Sequence, residues 1–133
     1  MGDNFSSAYF DTSVYDIVIN GKAKRFFDKG YRAFFNAIIS LSMLEYLREH
    51  SKHSPGILAI DSPILSLKEK NDDVTPDTMK TALFEYLTDH QQIGQIIIVE
   101  NEIPNIDYCN ANVIEFTKHK NNGKYGFLYG VHD

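Results

Sequence analysis

The segment "GILAIDSP" places a carboxylate at the end of an apolar run. Four apolar residues, Ile57 to Ile60, follow Gly56 and lead directly into Asp61. A short, wholly apolar run of this kind predicts a strand in the centre of a parallel sheet. Asp61 could cap the following turn, or it could hold a metal ion. The residue alone does not decide between these two roles.

Two more carboxylates follow a second apolar run, "QIIIVENE". Glu100 and Glu102 come just after a stretch that also reads as a buried strand. Taken by themselves, both are ordinary loop acids.

A basic segment, "NGKAKRFFDKGYRA", precedes the longest predicted helix. Its cations Lys22, Lys24, Arg25 and Lys29 are either a solvated loop or a contact for phosphate or nucleic acid. Gly30 stands just before the helix, so the first amides of the helix are open to a ligand.

The elements that position these residues follow from the apolar pattern. Residues 13–21 predict a strand ending in an Asn-Gly turn, and a largely buried helix is expected from Tyr31 to His50. Thr75 and Pro76 start a second helix that runs to about Gln92. Further strands are predicted in 95–100, 112–117 and 125–130. This order indicates an α/β fold with a mainly parallel sheet and flanking helices, covering 13–133, after a flexible segment 1–12.

Composition excludes several classes of protein. The chain has 133 residues, 43% of them hydrophobic, which suits one domain with a real core. Its formal net charge of −5 argues against a uniformly basic nucleic-acid binder but allows a local patch. The single cysteine, Cys109, excludes an internal disulfide and fits the cytoplasm. No apolar run approaches the length of a membrane helix, and the first residues lack the order of a signal peptide.

Read in order, these segments resemble the C-terminal ATPase lobe of the SMC-like ATPases. These are the coiled-coil members of the ABC class that act in chromosome segregation, DNA repair and phage defence. The resemblance covers about residue 15 to the C-terminus and rests on "NGKAKRFFDKGYRAFFNAIISLSMLEYL", "GILAIDSP" and "QIIIVENE". In that family a signature motif opens a long helix, the next strand ends in the Walker B aspartate, a D-loop follows, and a later strand ends in the switch residue. The expected fold is therefore the C-terminal half of a P-loop ATPase.

The resemblance assigns the signature motif to the start of the first long helix. Matching on Arg32 puts Asp28 at the usual serine, Lys29 and Gly30 at the two glycines, and Tyr31 at the acid or amide. The motif presents helix amides and a hydroxyl to the γ-phosphate of ATP on a partner head. Gly30 and the helix start can still supply amides, and Lys29 can supply charge, whereas Asp28 repels a phosphate unless it faces away. A plain helix N-terminus is the alternative.

The resemblance also makes Asp61 the Walker B aspartate that organises Mg²⁺. The catalytic glutamate that usually follows is Ser62 in this chain, and a hydroxyl is a poor general base. Hydrolysis is then either slow or served by another carboxylate, Glu100 or Glu102, unless both are ordinary loop acids. The switch position is Asn101, which can hydrogen-bond a phosphate but cannot titrate.

The D-loop of the family maps to Ser66 and Lys68, with lysine where an aspartate is usual. These two positions complete the set expected to address the nucleotide across a head–head dimer.

A phosphate-binding loop is missing from the sequence. No Gly-x-x-x-x-Gly-Lys-Ser/Thr occurs, so the chain cannot bind ATP in the usual way alone. In the family this loop lies beyond the coiled coil, and its strand lies between the two strands that match 95–100 and 112–117. We therefore expect a sheet with a gap, which is filled by a P-loop-bearing N-terminal half of the same or another chain, by self-association or by rearrangement.

Two functions follow from these observations. The first is half of a composite head that binds and hydrolyses ATP with Mg²⁺ and acts on DNA. The second is a catalytically inactive α/β interaction module that kept the fold and lost the chemistry, which the departures at Asp28, Ser62, Lys68 and Asn101 favour. No nucleophile–base pair stands out that would indicate an unrelated hydrolase or nuclease.

Overall fold

Two small sheets and two long helices make up the fold in a computed structural model of the protein. The structure describes residues 7–65, 67, 75–119 and 121–126. Strands β1 (Ala8–Asp11), β2 (Asp16–Ile19) and β3 (Lys22–Ala23) form an antiparallel sheet in that order. Strands β4 (Ile57–Asp61) and β5 (Gln95–Val99) form a parallel pair.

The antiparallel sheet begins earlier in the chain than the sequence predicts. Residues 8–11, expected to be loosely ordered, pair with β2 in the register Ala8↔Ile19 to Asp11↔Asp16. The predicted Asn-Gly turn is confirmed, since Asn20 and Gly21 have φ of 49° and 75° and join β2 to β3. Both angles lie in the left-handed region that tight hairpin turns require. A 3₁₀ turn, Lys24–Phe26, then leads into the first helix.

Helix α1 (Lys29–His50) confirms the predicted long helix, with two differences. It begins two residues earlier than predicted, after Asp28, and it is buried along one face only. Met43 and Tyr46 are 50% and 58% exposed. The buried face joins the main core cluster together with residues of both sheets and of the second helix. From α1 these are Phe34, Phe35, Leu41 and Leu44.

Helix α2 (Thr75–Asp89) connects the two parallel strands and ends before a 3₁₀ turn, Gln91–Ile93. On the inward face of this helix, Leu83, Phe84 and Leu87 are buried and Met79 packs against the core. The order β4–α2–β5 is the βαβ arrangement that the apolar runs predict.

The parallel sheet is smaller than predicted. β4 and β5 pair only with each other within the described part of the chain, so β4 is not the centre of a wider sheet there. Residues 112–117 form no strand, and Phe116 makes only an isolated bridge with Lys124. A strand needs a neighbour for its hydrogen bonds, and no described strand lies beside this segment. Most of the predicted strand 125–130 lies outside the described residues.

One face of the parallel pair is open. Residues alternate between exposed and half-buried along both strands. Ile57, Ile97 and Val99 are 50%, 43% and 60% exposed, whereas Leu58, Ile60, Ile96 and Ile98 pack against the core. Parallel sheets are normally covered on both faces, so this apolar face is unusual.

Candidate functional site at the carboxyl end of the parallel strands

Asp61 occupies the position that its sequence context predicts. It is the last residue of β4, it lies opposite Val99 in the parallel register, and its side chain is exposed. Ligands of open α/β sheets bind at the carboxyl ends of the strands. The Ser62 hydroxyl donates a hydrogen bond of 2.8 Å to Oδ1 of Asp61. The exposed carboxylate still has acceptor positions for a hydrated metal ion.

The chain turns sharply immediately after Asp61. Ser62 has a φ of 50°, in the left-handed region that non-glycine residues rarely adopt. Its amide donates to the carbonyl of Val99 at 2.8 Å, which extends the ladder by one bond. Pro63 behind it is fully buried. The turn is therefore held at both ends, and it fixes where the Asp61 carboxylate stands.

Glu100 has a different task from Asp61. Its Oε1 accepts a hydrogen bond of 2.9 Å from the amide of Ile64, and its Oε2 accepts one of 3.0 Å from the amide of Asn101. Because strand residues alternate between faces, Glu100 follows the half-buried face whereas Asp61 and Val99 share the open face. Glu100 thus ties the loop after β4 to the end of β5. Both its oxygens are already engaged, which weighs against its acting as the general base.

A cleft of about 560 Å³ opens beside Glu100 and Asn101, between the start of α2, the loop after β4 and the segment after β5. Asp61 is not among the residues that line it. Three carboxylates and one cation line it, together with Asn101 and apolar or neutral residues. The charged residues are Asp77, Lys80, Glu100 and Glu102.

The charge of this cleft favours cations over bare phosphates. Lys80 lies 3.5 Å from Asp77 on the same helix, which offsets part of its charge. A nucleotide therefore needs a metal ion or cations from another segment to approach this edge. The sequence reasoning missed Asp77 and Lys80, although their i, i+3 spacing at the start of a predicted helix could have indicated them.

The described residues contain no group of three or more His, Cys, Asp or Glu side chains that could hold a metal ion. Among the described residues, Asp61 is therefore not part of a complete protein cage. Mg²⁺ often binds one or two carboxylates and takes its other ligands from phosphates and water. The surroundings of Asp61 fit that kind of shared site.

The predicted signature residues lie at the start of α1. Asp28 is the residue before the helix, in an extended conformation, and its carbonyl accepts the first helical bond from the amide of Arg32. Gly30 is buried, whereas Lys29 and Arg32 are exposed and Tyr31 is half-buried. The described hydrogen bonds of Asp61 and Glu100 involve other residues, Ser62, Ile64 and Asn101. None of these hydrogen bonds joins Asp61 or Glu100 to the start of α1.

The remaining predicted site residues divide into two groups. Asn101 is exposed at the rim of the cleft, one residue after Glu100. Ser66 and Lys68, predicted to form the D-loop, lie outside the described residues, whereas Leu67 between them is buried in the core.

Comparisons with models of known protein families, with curated proteins and with solved structures found no match. Within the described residues, neither long helix is both long and apolar enough to cross a membrane.

Proposed function

We propose that this chain is one half of a composite ATP-binding head of the SMC-like kind, working in the cytoplasm on DNA. The observation that carries the proposal is the exposed Asp61 carboxylate at the end of a strand that pairs in parallel with β5 through a helical crossover. In this arrangement Asp61 holds Mg²⁺, and a P-loop supplied by another segment holds the phosphates.

The open face of the parallel pair supports a missing partner segment. Ile57, Ile97 and Val99 expose apolar surface next to strand edges that pair with no other described strand. A P-loop-bearing N-terminal half that adds strands here would cover that surface and bring its phosphate-binding lysine to the Asp61 edge. The acidic character of the cleft has the same implication, because this chain needs cations from elsewhere to hold a nucleotide.

The start of α1 would then serve a second head. Lys29 is exposed in the first turn of this helix, next to the buried Gly30. In a head–head dimer such a surface can address the nucleotide held by the opposite head.

The inactive interaction module is the second candidate, and the hydrogen bond between Ser62 and Asp61 favours it. Ser62 stands in the place of the usual catalytic glutamate, and its hydroxyl donates a hydrogen bond of 2.8 Å to the carboxylate of Asp61. Both carboxylate oxygens of Glu100 accept backbone hydrogen bonds as well. Asp61, Ser62 and Glu100 are therefore poorly suited to polarise an attacking water. The chain could then bind its partner without turnover.

The deciding experiment mixes this chain with the P-loop-bearing segment encoded upstream or in a neighbouring gene, and measures Mg²⁺-dependent ATP binding and turnover. The composite head predicts that Asp61→Asn lowers turnover at least tenfold, whereas Asp89→Asn, at the far end of α2, leaves it unchanged. Complex formation without turnover, with ATP binding indifferent to Asp61→Asn, would support the inactive module. Absence of any complex with that segment would overturn both.

A further inference from the structure

The charges of this protein are strongly segregated along the chain. Residues 22–32 carry five cationic side chains and one carboxylate, a local net charge of +4 in a chain of −5. The rest of the chain therefore carries −9. Segregation of this degree produces a positive field over one surface of an otherwise acidic molecule.

The structure gathers these cations on three consecutive short elements, namely β3, the 3₁₀ turn and the first turn of α1. We name the exposed members of this surface the basic–aromatic patch: Lys22, Arg25, Phe26, Lys29 and Arg32. The Arg25 guanidinium lies 4.8 Å from the centre of the Phe26 ring, and that ring is 62% exposed. The Lys22 ammonium lies 4.5 Å from the ring of Phe27.

The fifth cation anchors the patch instead of belonging to it. Lys24 makes an ion pair of 2.6 Å with Asp16 on β2 and a hydrogen bond of 2.7 Å to Asn36 on α1. Phe27 packs edge-on against Phe35 with ring centres 5.1 Å apart, and Phe35 belongs to the core. These contacts fix the backbone of the patch to β2 and α1. A backbone that is already ordered reduces the conformational entropy lost on binding.

We infer that the basic–aromatic patch binds single-stranded nucleic acid. Proteins that bind single strands without sequence preference combine cations along the phosphate backbone with exposed aromatic rings on which bases stack. The patch offers both cations and an exposed ring. A bare phosphate ion would contact the cations alone, so the exposed Phe26 ring favours a ligand that also carries bases. The inference goes beyond the proposed ATPase, because it concerns an oligonucleotide ligand and requires no ATP, and only Lys29 and Arg32 of the patch also belong to the surface assigned to the opposite head.

The test measures binding of fluorescently labelled (dT)₁₅ and (U)₁₅ to the chain alone, without ATP, by anisotropy over a range of salt. With four patch cations, the slope of log K against log salt should approach −3. Arg25→Ala should weaken binding several-fold and make the slope about 0.7 less steep. Arg48→Ala is the matched control, because Arg48 is equally exposed near the other end of α1, about 30 Å from the patch.

Phe26→Leu separates stacking from charge, because it keeps an apolar side chain at an exposed position that should not affect folding. It should weaken binding of the single strands about tenfold and leave binding of inorganic polyphosphate unchanged. The relative affinities for (dT)₁₅ and (U)₁₅ show which nucleic acid is preferred. Duplex DNA bound as tightly as single strands, equal effects of Arg25→Ala and Arg48→Ala, or no effect of Phe26→Leu would each overturn the inference.

These results are independent of the ATPase proposal. Arg25 and Phe26 are not among the residues assigned to the nucleotide, and no partner segment is present in the assay. Failure of oligonucleotide binding therefore leaves the composite head untouched, and failure of ATP turnover leaves the patch untouched.

Discussion

The acidic residues of the two described sheets differ in their partners. In the antiparallel sheet, Asp16 lies 2.6 Å from the Lys24 ammonium and its backbone neighbours are paired in a closed hairpin. In the parallel pair, Asp61 points to the open face and its described side-chain partner is the hydroxyl of the next residue. The first sheet satisfies its own charges, whereas the second leaves a charge and an apolar face for something else. The four predictions below test this contrast.

The largest effect is expected where both regions share one core. Leu41 on α1 is 2% exposed and belongs to the cluster that contains residues of both sheets. Leu41→Ala should therefore lower the free energy of unfolding by roughly 2–5 kcal/mol. Met43→Ala, at a position 50% exposed on the same helix, should cost about 0.5 kcal/mol or less. Urea unfolding compares the two, and equal losses would show that α1 packs by a different face.

The next largest effect compares a glycine at the start of the parallel pair with a glycine in the antiparallel hairpin. Gly94 has a φ of 155°, and a Cβ there would lie 2.9 Å from the carbonyl oxygen of Gly56, where β4 and β5 begin. Gly94→Ala should cost roughly 1–3 kcal/mol, since it combines strain with a backbone clash. Gly21→Ala in the hairpin meets strain alone, because nothing lies within 4 Å of its Cβ, and should cost about 1 kcal/mol. The two variants should rank in that order by thermal unfolding, and the reverse order would contradict the close approach of the strands.

Positions along the chain were easier to predict than the contacts between distant segments. The apolar runs and Pro76 were enough to predict β4, β5 and both helices, because these signals are local. The predicted strand at 112–117 was wrong, since β-branched residues form a strand only beside a neighbour. β1 was missed because "AYFD" is too short to show alternation, and its pairing with β2 decides its conformation.

The candidate site shows the same division. The metal-binding role of Asp61 stays a prediction, but its place at the end of β4 followed from four apolar residues and is confirmed. The bond of Glu100 to the Ile64 amide joins residues 36 positions apart, and no local pattern announces it. The sequence therefore placed both carboxylates at strand ends, whereas only the fold shows that Glu100 holds the loop after β4.

The two carboxylates of the parallel pair should respond differently to removal. Glu100→Ala leaves the part-buried amide of Ile64 without its acceptor and should cost roughly 1–2 kcal/mol of stability. Asp61→Ala removes an exposed side chain and should cost about 0.5 kcal/mol or less. Chemical denaturation at neutral pH measures both. A larger loss at Asp61 would mean that this carboxylate serves the fold instead of a ligand.

The smallest effect concerns the loss of free energy of unfolding at acid pH. The hydrogen bond from Lys24 lowers the pKa of Asp16, with smaller contributions from the amide of Ile17 and from the charge of Lys24. A lowered folded-state pKa stabilises the protein above the unfolded-state pKa of about 4, and this contribution is lost as the pH falls through the folded-state value. Asp16→Asn should therefore cost less than about 1 kcal/mol at pH 7 and nothing at pH 2. A loss that is the same at both pH values would exclude this ion pair as its cause.

The open face of β4 and β5 also bears on how the chain survives in a cell. "QIIIV" is β-branched, uncharged and free of proline, and an exposed strand with those properties can template the addition of identical strands. Left uncovered, this surface favours aggregation and attracts chaperones and proteases. A segment or partner that covered this face would therefore lengthen the lifetime of the chain, and a cell that made the chain in excess of that cover would lose the surplus to quality control.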